Sequence, residues 1–163
     1  MNVEITVEAG DVLAAFNRLQ TAARDTTPLM RAMSTELLSQ TERNFALQGR
    51  PQWLDLAPST IRQRIKQGKW PGKILQRSPG GLAASVFAEA GPDWALVGVG
   101  KKYAAIHQFG GQAGRGHKVT IPARPFLPII GNGESAVLAP YAEQSIRAII
   151  DAAMSKWLGD GAS

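Results

Sequence analysis

The chain has 163 residues and a formal charge of +5, which together indicate one basic domain large enough to bury a single core. It contains no cysteine, which excludes a disulfide framework, a thiolate metal site and a thiol nucleophile. Its apolar runs are shorter than the roughly 20 residues that a membrane span needs, so we expect no membrane contact. The N-terminal residues lack the pattern of a secretory signal, and we expect the protein to stay where it is made.

The first fifty residues predict a strand followed by two antiparallel helices. Residues 2–8 alternate between apolar and polar side chains, as in a half-buried strand. Apolar residues then recur at helical spacing over residues 11–24. Thr27 and Pro28 fit the start of a second, longer helix, and Gly49 fits its end.

Residues 50–80 differ in composition, and we expect a basic arm or loop within the single domain 1–163. Prolines punctuate the stretch, and a short helix from Pro58 is the one regular element predicted in it. Its basic side chains are candidates for contact with a polyanion such as DNA, although a solvated surface explains the same charge. These candidates are Arg62, Arg64, Lys66, Lys69, Lys73 and Arg77.

The middle of the chain predicts a hairpin, a short helix and a glycine-rich loop. Residues 82–90 and 94–100 are two β-favourable runs on either side of a turn. Residues 103–109 fit one or two turns of helix, and 110–116 contain too much glycine for regular structure. A short strand near 117–121 follows.

The last part of the chain is predicted to be helical. The pattern resumes after Gly133, and Pro140 either opens the main helix or kinks it. We therefore expect an α+β fold, with a small antiparallel sheet of about four strands, three or four helices packed mainly on one face, and an extended basic loop or arm. The strands of this sheet are expected near residues 2–8, 82–90, 94–100 and 117–121.

No residue pattern predicts a catalytic, metal or cofactor site. His107 and His117 have no metal-ligand partner at helical or hairpin spacing, and the glycines do not form a phosphate-binding loop. The serines lie outside any nucleophile elbow, and no segment shows a helix-turn-helix pattern. We expect no cofactor and no enzymatic activity. A wall hydrolase is the open enzymatic alternative, with His107, Glu36, Glu42 and Asp55 as the groups to test.

Two motifs are distinctive: Tyr103-Ala-Ala-Ile-His-Gln-Phe-Gly-Gly111, and Ile121-Pro-Ala-Arg-Pro-Phe-Leu127. Together with weaker matches upstream, they resemble the phage virion morphogenesis family, the tail-completion proteins of Mu-like and related tailed phages. The resemblance covers residues 30–130. One departure is Ser78-Pro-Gly-Gly81, where the family more often has Thr-Gly before the leucine.

The resemblance implies a structural virion protein of the head-tail neck, made in the host cytoplasm. Its expected role is a tail-completion or tail-terminator-type ring that joins the tail to the DNA-filled head. The implied partners are further copies of the chain, six in the expected ring, together with other phage neck and tail proteins and, through non-specific contact, packaged DNA. On this interpretation the basic arm could order only on docking. The candidate assembly residues are Tyr103, His107, Phe109, Arg124, Pro125 and Phe126.

The same motifs have an alternative interpretation as anchors of the fold. Under it, His107 bonds a backbone carbonyl, and Gly110 and Gly111 meet a dihedral need. Arg124 is a separate case, because its planar guanidinium could form an intersubunit salt bridge with a carboxylate. The apolar anchors would be Tyr103, Ile106, Phe109, Phe126 and Leu127. For the function itself, the alternative is a sequence-independent DNA-binding protein.

Overall fold

The computed structural model describes residues 10–159, which form an α+β fold, as predicted. The helices are α1 (Gly10–Arg24), α2 (Thr27–Leu47), α3 (Pro58–Lys66), α4 (Ala104–Phe109) and α5 (Pro140–Leu158). The strands are β1 (Val86–Ala90), β2 (Ala95–Val99), β3 (Gly111–Ala113), β4 (Val119–Ile121), β5 (Ile129–Ile130) and β6 (Val137–Leu138). None of the helices in this range combines the length and apolarity that crossing a membrane requires.

Helix ends follow the local sequence closely. Proline occupies the first turn of α2, α3 and α5, where its missing N–H is not needed. Pro140 therefore opens α5 and does not kink it. At the end of α2, Gln48 and Gly49 both adopt positive φ, and the Gly49 N–H donates to the Asn44 carbonyl at 2.8 Å. A side chain at Gly49 would lie 2.4 Å from the Trp53 ring, so this position requires glycine.

The described strands form three separate antiparallel hairpins, not the expected sheet of about four strands. β1 pairs with β2, which confirms the predicted hairpin, although residues 83–85 form a 3-10 turn and delay the first strand. β4 pairs with β3, so part of the glycine-rich stretch is regular after all. The β5–β6 hairpin was not predicted. The expected strand at residues 2–8 lies outside the described residues.

The core lies at the C-terminal end of α2. Phe126 is fully buried and stacks on Phe45, with ring centroids 5.3 Å apart. Trp53 meets the same Phe45 ring edge-on at 6.0 Å. Ile74, Leu82 and Ala104 complete the cluster, so residues that are far apart in the sequence bury their apolar surface together.

Residues 50–80 are tied to this core and do not form a detached arm. Trp53 and Ile74 are both core residues, 5% and 7% exposed. The Ile74 N–H donates to Gln48 Oε1 at 2.9 Å, and Gln76 Nε2 donates to the Phe45 carbonyl at 2.8 Å. An arm that orders only on docking does not describe a stretch that supplies core side chains.

A buried polar network joins α2 to α5. Asn44 Nδ2 donates to the Phe126 carbonyl at 2.9 Å and to the Tyr141 hydroxyl at 3.0 Å. Arg50 Nε donates to Asn44 Oδ1 at 2.8 Å, and the guanidinium lies 3.7 Å from the Tyr141 ring centroid. Since buried polar groups are costly when unpaired, this network favours one packing of the two helices over others.

We predict that Phe126→Ala lowers the free energy of unfolding by about 3–5 kcal/mol, because it removes a fully buried ring and leaves a cavity. Phe109→Ala is the matched control, since Phe109 is 46% exposed; its effect should stay within about 1 kcal/mol. Urea unfolding followed by tryptophan fluorescence measures both. Equal losses for the two variants would contradict this account of the core.

Candidate functional site

Helix α4 is anchored by Ala104 and Gln108, four residues apart on its inner face, which are 5% and 3% exposed. Tyr103 and Phe109 are 47% and 46% exposed, so their predicted role as anchors is wrong. Gln108 was not among the predicted residues, and its Oε1 accepts the N–H groups of Phe126 and Leu127 at 3.0 and 2.9 Å. Its helical spacing from Ala104 was the available signal.

The two distinctive motifs are in direct contact. The Arg124 N–H donates to the His107 carbonyl at 2.7 Å, and Trp53 Nε1 donates to the Pro125 carbonyl at 3.0 Å. Gly110 has φ 73°, and a side chain there would lie 2.9 Å from the Ala123 nitrogen. The expected dihedral role of this glycine is therefore confirmed.

Arg124 holds a neighbouring stretch of its own chain. It is 6% exposed, and its Nε and Nη2 donate to the Leu54 carbonyl at 3.1 and 3.0 Å. Nη2 also donates to the Asp55 carbonyl at 3.1 Å. The intersubunit salt bridge remains a prediction, and in the fold itself the guanidinium fastens residues 54–55 to the second motif.

The candidate assembly residues thus divide by position. Tyr103, Phe109 and Pro125 are exposed and His107 is half-buried, while Arg124 and Phe126 are buried. Phe126 belongs to the core and presents no surface to a neighbour in this fold. The His107 side chain does not make the expected bond to a carbonyl, since its buried Nδ1 has no partner in the described part of the chain.

The basic residues of segment 50–80 divide in the same way. Arg64 is 7% exposed, and its Nη1 donates to the Lys73 carbonyl at 3.0 Å, so it fastens the loop after α3. The side chains that face solvent are those of Arg62, Lys66, Lys69, Lys73 and Arg77.

A pocket of about 640 Å³ lies between α3 and α4. Its apolar wall includes Leu56, Leu82 and Ile121. Tyr103 and His107 line the side formed by α4, with their rings 5.9 Å apart and nearly perpendicular. The three arginines on its lining are Arg64, Arg77 and Arg124.

Burial and mutual repulsion shape the electrostatics of this pocket. Burial, and then the charge of Arg77, lower the pKa of Arg64. Burial and the charge of Arg64 lower the pKa of Arg124, and Asp55 opposes this only in part. The pKa of His107 is also lowered, first by burial and then by the charge of Arg124. His107 is therefore neutral near pH 7.

Within residues 10–159, no three His, Asp or Glu side chains lie close enough together to hold a metal ion. His107 and Asp55 both line the pocket, but no hydrogen bond joins their side chains. Glu36 lies on α2, where its Oε1 accepts from Gln40 Nε2 at 2.6 Å, and Glu42 is exposed on the same helix. The four groups considered for a hydrolase therefore do not form one cluster.

We predict that the chain loses stability as the pH falls below about 6.5, because the unfolded chain then protonates His107 before the folded chain does. The loss should run from about pH 6.5 down to the folded pKa of this histidine. His107→Gln should remove that part of the pH dependence in urea unfolding, and His117→Gln, at an exposed position, should retain it. The opposite pattern would show that another group governs the transition.

Similarity to known proteins supports the family resemblance that the two motifs indicate. The chain matches the family model described as "Phage virion morphogenesis family" over residues 7–154. It is 39% identical to "Mu-like prophage FluMu G protein 2" of Haemophilus influenzae over 137 residues, which are 83% of this chain and 91% of that protein. It is 34% identical to "Putative capsid assembly protein G" of Escherichia phage Mu, over 84% of this chain and 90% of that protein.

No solved structure shows a significant match to the chain. The match to the family model nevertheless spans nearly all of the sequence, and it includes α4, the pocket and both distinctive motifs. The chain therefore belongs to the phage virion morphogenesis family.

Proposed function

We propose that this chain is a structural protein of the phage head-tail neck, a tail-completion or tail-terminator-type ring that joins the tail to the DNA-filled head. Membership of the virion morphogenesis family supports a role in phage assembly. The similarity to a protein named as a putative capsid assembly protein of phage Mu supports the same class of role. The expected ring has six copies, and its place in the virion is the head-tail junction.

The observation that carries this proposal is the amount of apolar surface the chain leaves exposed. Among residues 10–159, more large apolar side chains are exposed than are buried in the core. A surface of this kind is typical of a subunit that buries it against neighbours.

The exposed apolar groups lie on different elements, as a closed ring requires. A ring is built from heterologous contacts, so each subunit carries two different complementary patches. Three of the exposed groups are Val12, Leu13 and Phe16 on α1; Phe87, Trp94 and Leu96 on or next to the β1–β2 hairpin; and the α4 pair, which consists of Tyr103 at the N-cap of α4 and Phe109 at its last residue. We assign the α4 pair to one of the two patches, because the buried residues of the same helix hold it rigidly.

The exposed basic side chains of segment 50–80 suit a surface that faces packaged DNA. Arg62 and Lys66 lie on α3, and Lys69 and Lys73 follow it, all four exposed. Contacts to phosphates alone would be independent of sequence and would weaken with salt. The same surface is the observation that favours the alternative, a sequence-independent DNA-binding protein.

We predict that phage lacking this protein accumulate heads and tails that do not join, and that the wild-type chain supplied from a plasmid restores joined particles in electron micrographs. Tyr103→Ala combined with Phe109→Ala should reduce joining while keeping the purified chain folded, because both side chains are exposed. Normal joining and normal tail length without the protein would refute the neck role.

A variant of the exposed basic surface provides the matched comparison for the Tyr103 and Phe109 variant. Lys69→Ala combined with Lys73→Ala removes two exposed charges from the basic surface of segment 50–80. On the assembly proposal, the α4 variant is the more damaging to joining. If the lysine variant abolishes joining and the α4 variant does not, the DNA-binding alternative is favoured.

A further inference from the structure

The three arginines that line the pocket between α3 and α4 have no carboxylate paired with them in the described part of the chain. Arg64, Arg77 and Arg124 define this arginine pocket. The one ion pair found within residues 10–159 joins Arg147 to Glu143 on the surface of α5. Asp55 is the acid that acts on Arg124, and its charge raises the pKa of Arg124. Burial and the charge of Arg64 lower that pKa by more.

The hydrogen bonds of these arginines leave part of each guanidinium unused. Arg124 donates through Nε and Nη2, Arg64 through Nη1, and Arg77 through Nη2 to Gln67 Oε1 at 2.5 Å. Arg64 Nε is buried and has no partner among the described residues. Three arginines and one carboxylate, that of Asp55, therefore line one recess. The positive charge remains in excess and some donors are unused, which is an unfavourable arrangement until a further anion enters.

The walls of the recess favour an apolar neighbour for that anion. Leu56, Leu75, Leu82, Ile121 and Pro122 line it, and its volume of about 640 Å³ is in the range of ligand pockets. Leu75 adopts φ 61°, a conformation that bulky residues rarely take and that is often found at binding sites.

We propose that the arginine pocket receives an acidic side chain of a partner virion protein, carried on a segment whose flanking residues are apolar. The carboxylate accepts hydrogen bonds from the unused guanidinium nitrogens, and the apolar neighbours pack against the leucine wall. This inference rests on the proposed function in one respect, that the partner is another protein of the virion.

The arrangement fits a protein segment better than DNA. Arg64 and Arg124 are 7% and 6% exposed and lie within a recess, whereas the phosphates of a duplex meet side chains that project into solvent. Of the exposed basic residues of segment 50–80, Arg77 lines this pocket, whereas Arg62, Lys66, Lys69 and Lys73 lie outside it and are the ones available to phosphates. A single side chain can enter such a recess, and a continuous duplex backbone cannot follow it.

The probe for this site is the short peptide acetyl-Leu-Glu-Leu-amide, titrated into the full 15N-labelled chain. The Nε–H signals of Arg64 and Arg124 should shift in a saturable way. The peptide acetyl-Leu-Gln-Leu-amide, which differs only in charge, should shift them weakly or not at all. Equal binding of the two peptides would overturn the proposal, because it would show an apolar pocket without recognition of charge.

A matched pair of arginine variants locates the binding. Arg77→Gln removes an exposed charge from the pocket. It should lower the affinity for the glutamate peptide about tenfold, the usual effect of losing a charge-assisted hydrogen bond. Arg62→Gln removes an exposed charge outside the pocket and should leave the affinity unchanged. Equal losses in the two variants would also overturn the proposal, since only net charge would then matter.

Inorganic phosphate and a short DNA duplex complete the test. If either shifts the Arg64 and Arg124 signals at lower concentration than the glutamate peptide, the pocket is a phosphate site and the proposal is wrong. The titrations use the purified chain and no virions. Their failure therefore leaves the neck role standing, and normal virions without the protein would leave a positive titration valid.

Discussion

The fold depends on one short segment, residues 124–127, being buried with its polar groups satisfied. Phe126 can enter the core because Gln108 Oε1 accepts its N–H and Asn44 Nδ2 donates to its carbonyl. Trp53 bonds the Pro125 carbonyl in addition to packing on Phe45. Helix α2, helix α4 and the loop after α2 therefore all meet at this segment, and each hydrogen bond offsets a backbone group that would otherwise be buried unpaired.

The same segment connects the interior to the surface that we assign to assembly. Arg124 begins it and fastens residues 54–55, while its N–H bonds the last turn of α4 at His107. The exposed rings of Tyr103 and Phe109 are thereby held on a helix that cannot shift without opening the core. A docking surface that is ordered before its partner arrives loses little conformational entropy on binding.

Much of the helical structure could be predicted from sequence, because the apolar spacing and the prolines at Pro28, Pro58 and Pro140 act locally. The pairing of strands could not, since residues 111–121 form a hairpin by contacts that glycine-rich sequence does not indicate. The two motifs could be recognised from sequence, but the sequence did not indicate which of their side chains face the core. Gln108 is buried and Phe109 is exposed because the buried N–H of Phe126 needs a hydrogen-bond acceptor. This need outweighs the gain from burying the Phe109 ring.

The placement of the core at one end of α2 divides the subunit mechanically. At the C-terminal end of that helix, aromatic packing and the Asn44 network oppose local unfolding. Toward its N-terminal end, Ser34 is the one buried residue of α2 before Gln40, and on α1 Phe16 is 63% exposed. We therefore expect the C-terminal end of α2 to be stiffer than its N-terminal end. In the ring that we propose, the stiffer end would set the spacing of the copies, and the more compliant end would absorb a mismatch in shape between the two bodies that the ring joins.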